Sequence, residues 1–221
     1  MTSPPAAPPS RPVRGVRQED GHRLPHLAWR LAPGSRVCSS AVLGGGLGER
    51  DWVLNAQVPP GYRRTDPAAH LAGIAAGAGL RGTGAALMTA ADVDAFTEAW
   101  DEGVRAVVTT GLGVRTWAAS PVAGRIGPPA AGTVNIVVTV PVPLGDGALV
   151  NAVATATEAK VQALLDAGAA CSGTPSDAVC VVAGPAVPGR APEPFAGPRS
   201  RWGARLARAV HTAVLAGAAA P

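Results

Sequence analysis

The fold turns on "GTVNIVVTV" (132–140), "GDGALVNAVATATEAKVQALLDAG" (145–168) and "DAVCVVAG" (177–184), which follow one another in the chain. The first is a run of β-branched residues with a single asparagine inside it, and it reads as the longest strand. The second is rich in alanine and free of proline. It reads as the longest helix, with Asp146 placed to cap it and Gly168 to stop it. The third is a short apolar run bounded by turn residues, and it reads as another buried strand.

Working outward, strand patterns alternate with helical ones. "RVCSSAV" (36–42) and "DWVLNAQV" (51–58) read as strands joined by the glycine-rich "LGGGLGER" as an early hairpin. "DPAAHLAGIAAGAG" (66–79) reads as a helix capped by Asp66, with Pro67 in its first turn. "GAALMTA" (84–90) and "RAVVTTG" (105–111) read as strands, with a helix expected over 91–103 between them. A last helix is expected over 199–217. The expectation is therefore an α/β fold in one domain: a mixed β-sheet with an early hairpin, packed by about four helices.

Composition narrows the class. The chain has 221 residues, 47% apolar and only 4% aromatic, so it is globular, with a core of Ala, Val and Leu. The Pro- and Arg-rich segment 1–24 is expected to be a flexible tail ahead of a domain spanning 25–218. It lacks the apolar core of a signal peptide, and no apolar run is long enough to cross a bilayer. Cys38, Cys171 and Cys180 form no C-x-x-C motif, and an odd number of cysteines suits a reducing cytoplasm. The net charge of +4 sits at the ends, because residues 37–189 carry eight cations against twelve acids. With no basic patch interleaved with aromatics, nucleic acid is not an expected partner.

The long helix carries unusual chemistry. At about 100° per residue, Leu149, Val150, Val153, Val161, Leu164 and Leu165 make an apolar stripe, with alanines beside it. Asn151, Thr155, Glu158 and Gln162 share a third face. Lys160, the chain's single lysine, falls inside the apolar stripe, where an ammonium costs several kcal/mol unless it is paired. One reading has it snorkelling to water, and the other has it held beside a carboxylate.

Polar clusters also fall at strand ends: Asn55 with Gln57, Thr109 with Thr110, Thr133 with Asn135, and Thr174, Ser176 and Asp177 in "GTPSD". Open α/β sheets bind ligands in the crevice outside the carboxyl ends of their strands. Standard templates are missing. "GAGLRG" (77–82) follows a helix rather than a strand, the glycine run 44–48 lacks the Lys-Ser/Thr of a P-loop, and the four histidines have no metal-ligand spacing. No metal ligands and no cofactor are assigned from the sequence.

The order and spacing of "SSAVLGGGL", "WVLNAQVPPGY", "LMTAADV", "VVTTGLG", "GTVNIVVTV", "NAVATATEAK" and "GTPSDAV", over about residues 37–183, resemble the adenosylcobinamide amidohydrolases of corrinoid salvage. The resemblance implies a cytoplasmic enzyme that hydrolyses the amide between aminopropanol and a corrin-ring propionate of adenosylcobinamide, giving adenosylcobyric acid. Where a second threonine is expected in the last block, this chain has Ser176, which keeps a hydroxyl. Amide hydrolysis needs a base, stabilisation of the oxyanion and a proton for the leaving amine. Chemistry and location nominate Glu158, Asp177, Lys160 and Thr174 as catalytic, with Asn55, Thr110, Asn135, Asn151 and Ser176 binding substrate. A corrinoid-binding protein without catalysis, or an amidase for another amide, would share these features.

Overall fold

The computed structural model describes residues 11–120 and 132–219. Its ten strands are β1 (Val13–Glu19), β2 (His22–Arg30), β3 (Arg36–Ser39), β4 (Gly46–Glu49), β5 (Trp52–Gln57), β6 (Gly84–Thr89), β7 (Thr97–Asp101), β8 (Val104–Leu112), β9 (Gly132–Val140) and β10 (Ala178–Ala183). Three α-helices join them: α1 (Pro67–Gly77), α2 (Asp146–Asp166) and α3 (Arg201–Ala218). The strands form two mixed sheets, in the orders β1-β2-β5-β6 and β4-β3-β10-β9-β8-β7. Only β5–β6 and β9–β10 pair in parallel, and each pair is connected through a helix, α1 or α2.

Alternating side chains stack these elements in four layers. Leu27, Trp29, Val53 and Leu87 of the first sheet meet Val37, Val107, Val137 and Val182 of the second. Trp52, Leu54 and Ala56 point the other way, onto Leu71 and Ile74 of α1. On the outer face of the six-stranded sheet, Val134, Ile136, Val138 and Val140 pack under α2 and α3.

Four expectations are corrected. The early hairpin forms between β3 and β4 rather than between residues 36–42 and 51–58: β5 crosses to the other sheet and pairs with β2 and β6. Residues 91–103 are one 3-10 turn and strand β7 rather than a helix, which leaves three helices in place of about four. Glu102 and Gly103, both at positive φ, supply the left-handed two-residue turn that folds β7 onto β8. Residues 13–24, expected as tail, form β1 and the start of β2, turned at Asp20–Gly21 in the same way. The remainder of that tail, residues 1–10, lies outside the described residues.

The fourth concerns the buried side of α2. The buried face is the alanine one, Ala148, Ala152, Ala156, Ala159 and Ala163 with Leu149 and Leu164, while Val150 and Leu165 stay 58% and 48% exposed. Small side chains let α2 and α3 approach closely, and that proximity outweighs the greater apolar area of the valines. The helix ends as expected, with Gly168 at φ 75°. Asp146 sits in the first turn, paired with Arg36, and Gly145 holds the cap position.

Candidate active site

The amino ends of β9 and β10 and the last turns of α2 converge because α2 runs back over the sheet between two parallel neighbours. Lys160, on the last half of α2, thereby reaches Asp177, one residue ahead of β10. Its Nζ donates to Asp177 Oδ2 at 2.5 Å, and the two side chains are 8% and 11% exposed. The ammonium that looked misplaced on an apolar stripe is held by a carboxylate rather than snorkelling.

Asp177 is saturated with donors. Oδ1 accepts from the Val134 amide at 2.8 Å and from Thr174 Oγ1 at 2.5 Å, and Oδ2 also accepts from the Thr174 amide at 3.1 Å. The carboxylate therefore ties the Gly173–Asp177 loop to the first residues of β9. Gly173, at φ 151°, allows this: a Cβ there would lie 2.1 Å from Asp177 Oδ2 and 2.6 Å from Lys160 Nζ. Hydroxyls crowd the same corner. Thr174, Ser176 and Thr133 all lie within 3.0 Å of the Gly132 carbonyl, and Ser176 Oγ is 2.7 Å from Thr133 Oγ1. Ser176 is exposed, so its hydroxyl is the one that faces solvent.

A second polar chain crosses between the sheets. Asn135 Nδ2 donates to Asn55 Oδ1 at 2.8 Å and to the Met88 carbonyl at 3.0 Å, and Asn55 Nδ2 donates to Thr109 Oγ1 at 3.0 Å. Both Asn135 amide protons are thus spent within the protein. Its buried Oδ1 has no partner among the described residues, so the group it can offer is an acceptor.

The remaining candidates are placed apart. Glu158 lies two residues before Lys160, about 200° around the helix, and faces a groove between α2 and α3 with Arg208 and His211. The two nominated carboxylates therefore do not share a site. Asn151 is exposed on the first half of α2, beside Gly197. Thr110 points at α3, where a Cβ on Gly217 would meet its Oγ1 at 2.4 Å; its neighbour Thr109 is the one that faces the other sheet. Strand alternation could have chosen Thr109, since it sits opposite Asn135 in the β8–β9 ladder. Thr133 joins the corner through its bond to Ser176, which nothing in its sequence context marks.

The segment after β8 is pinned to this corner. Thr116 N donates to the Gly173 carbonyl at 2.9 Å, Ser172 N donates back to Thr116 O at 2.9 Å, and Ala118 N donates to Ser172 Oγ at 2.7 Å. Trp117, half exposed, is carried beside the site by these bonds.

An exposed hydroxyl, a desolvated carboxylate–ammonium pair and a buried amide network at one strand end define a site of the polar kind that hydrolases use. The adenosylcobinamide amidohydrolase family model matches residues 10–221. A protein of Methanosarcina mazei named adenosylcobinamide amidohydrolase is 29% identical over 184 residues, 80% of this chain and 88% of its own length. The chain belongs to the adenosylcobinamide amidohydrolase family, and it is an enzyme of the amidohydrolase kind.

Proposed function

We propose that the enzyme hydrolyses the amide joining aminopropanol to a corrin-ring propionate of adenosylcobinamide, releasing adenosylcobyric acid for cobalamin salvage in the cytoplasm. Family membership over nearly the whole chain is the observation that carries this reading. In it, the substrate amide lies at the corner formed by Ser176, Thr133 and the Gly173–Asp177 loop. Water attacks the carbonyl carbon, the carbon–nitrogen bond breaks, and the amine leaves with a proton. Ser176 touches the reacting amide as hydrogen-bond donor. Asp177 and Lys160 hold the loop in place, and Thr174 locks it to β9. Asn135 and Asn55 brace β9 against β5 behind this corner, where the buried Asn135 Oδ1 has no partner among the described residues. Glu158, turned away from this corner, has no part in the step.

Purified protein incubated with adenosylcobinamide should release aminopropanol and adenosylcobyric acid in equal amounts, followed by mass spectrometry. Corrinoid binding with no release of either product would refute the assignment.

A further inference from the structure

A cavity of about 750 Å³ opens between β1, β2 and α1, on the outer face of the four-stranded sheet. Asn55 points to the opposite face of that sheet, so this cavity is separate from the corner described above. One wall is apolar and smooth. Ala69, Gly73, Ile74 and Gly77 follow one another at helical spacing along α1, and a Cβ built on Gly73 or Gly77 meets nothing within 4 Å.

The other wall is a set of donors. Glu19 is the single carboxylate among the lining residues, and both its oxygens are taken. Oε2 accepts from Arg17 Nε at 2.7 Å, and Oε1 lies 2.8 Å from His70 Nε2. His70 Nδ1 is in turn 2.9 Å from the Tyr62 hydroxyl. Burial works against the Glu19 anion, yet Arg17 and His70 outweigh it and hold the carboxyl below its usual range. What remains unspent is cationic or donating. Arg17 Nη1 is buried and has no partner among the described residues. The same is true of His26 Nδ1, on a side chain that is only 8% exposed. Arg30 bonds only the Gly79 carbonyl, at 3.0 Å, among the described residues. Buried polar groups are ordinarily partnered, and a buried unpaired donor costs about 1–3 kcal/mol. Here Arg17 Nη1 is such a donor, and His26 Nδ1 and the exposed Arg30 guanidinium lie along the same side of an open cavity whose carboxylate is already neutralised.

We propose that this groove binds a small organic anion with an apolar body. The charged end sits on Arg17 and Arg30, with the neutral His26 ring beside them, and the body lies against Gly73, Ile74 and Gly77. Pockets of this size that join an apolar wall to a few convergent polar groups are the usual form of small-molecule sites. Guanidinium groups suit carboxylate, phosphate and sulfonate ends alike.

The test uses 1-anilinonaphthalene-8-sulfonate on the full chain, with N-phenyl-1-naphthylamine as the uncharged reference, both read by fluorescence. The sulfonate should bind at one saturable site, at least about tenfold more tightly than the naphthylamine. Gly73→Leu fills the open wall and should weaken the sulfonate about tenfold or more with no drop in melting temperature; Gly77→Leu serves if that variant does not fold. Arg30→Met should weaken the sulfonate about three- to tenfold and leave the naphthylamine unchanged. Equal affinity for both probes would overturn the proposal. So would sulfonate affinity that neither the leucine variant nor Arg30→Met moves.

Discussion

Single side chains separate holding the site together from acting in it. Asp177 accepts four hydrogen bonds, one of them from Lys160, so Asp177→Asn strands a buried ammonium. It should cost about 3–5 kcal/mol in chemical denaturation, and Lys160→Met on the same chain should recover part of that. Ser176 is exposed, and its removal should leave stability nearly unchanged. If it touches the amide, Ser176→Ala should lower turnover about 10- to 10³-fold while Ser176→Thr keeps most of it. Equal turnover in the alanine variant would remove Ser176 from the reaction. His26 sets a pH dependence, because burial and then the Arg17 charge push its imidazole below the ordinary 6.5. As pH falls through that ordinary value, the unfolded chain binds a proton the native ring refuses, so stability drops. His26→Phe should flatten melting temperature against pH in that window. Glu19 acts further down. Its folded value is lowered, so its contribution is present above the ordinary carboxyl value and fades as pH falls through the lowered one.

Elements pack by side-chain size as much as by polarity. Gly203 faces the 196–197 loop so closely that a Cβ would lie 2.0 Å from the Gly197 carbonyl oxygen and 2.2 Å from that of Ala196. Alanine favours a helix over glycine by about 1 kcal/mol, yet Gly203→Ala should destabilise, because α3 would have to lift from this contact. Gly73→Ala, in open space on α1, should instead stabilise by up to about 1 kcal/mol. Denaturant midpoints of the two variants should move in opposite directions. The same geometry explains why α2 buries its alanine face rather than its valine one. Hydropathy ranks valine above alanine, whereas close helix approach selects the reverse. The expected helix over 91–103 failed for a comparable reason. "TEAWD" alternates in burial with a period of two, but that alternation is visible only once Glu102–Gly103 is known to turn the chain back onto β8.

At the scale of the whole molecule, β1 is an edge strand that carries Arg17 and Glu19 into the outer groove. A chain beginning at residue 21 loses that edge and the His70 pairing. It should melt about 5–10 °C below a chain beginning at residue 11, by calorimetry. The Asp20–Gly21 dipeptide between β1 and β2 is a strong hairpin signal that composition masked. By itself the sequence determined the strand–helix–strand core of residues 132–184, the stop at Gly168 and the turn that carries Thr174, Ser176 and Asp177. These follow from periodicity and turn chemistry within a few residues. It also marked Lys160 as a charge on an apolar face that must either snorkel to water or be held by a carboxylate. Only the tertiary structure decided that the partner is Asp177 and that Glu158 faces away. It likewise decided that Asn135 has no proton left to give, and that β5 belongs to a different sheet from β3. Hydrogen bonds and strand partners are chosen among groups far apart in the chain, and local pattern carries no information about which distant group will be present to accept.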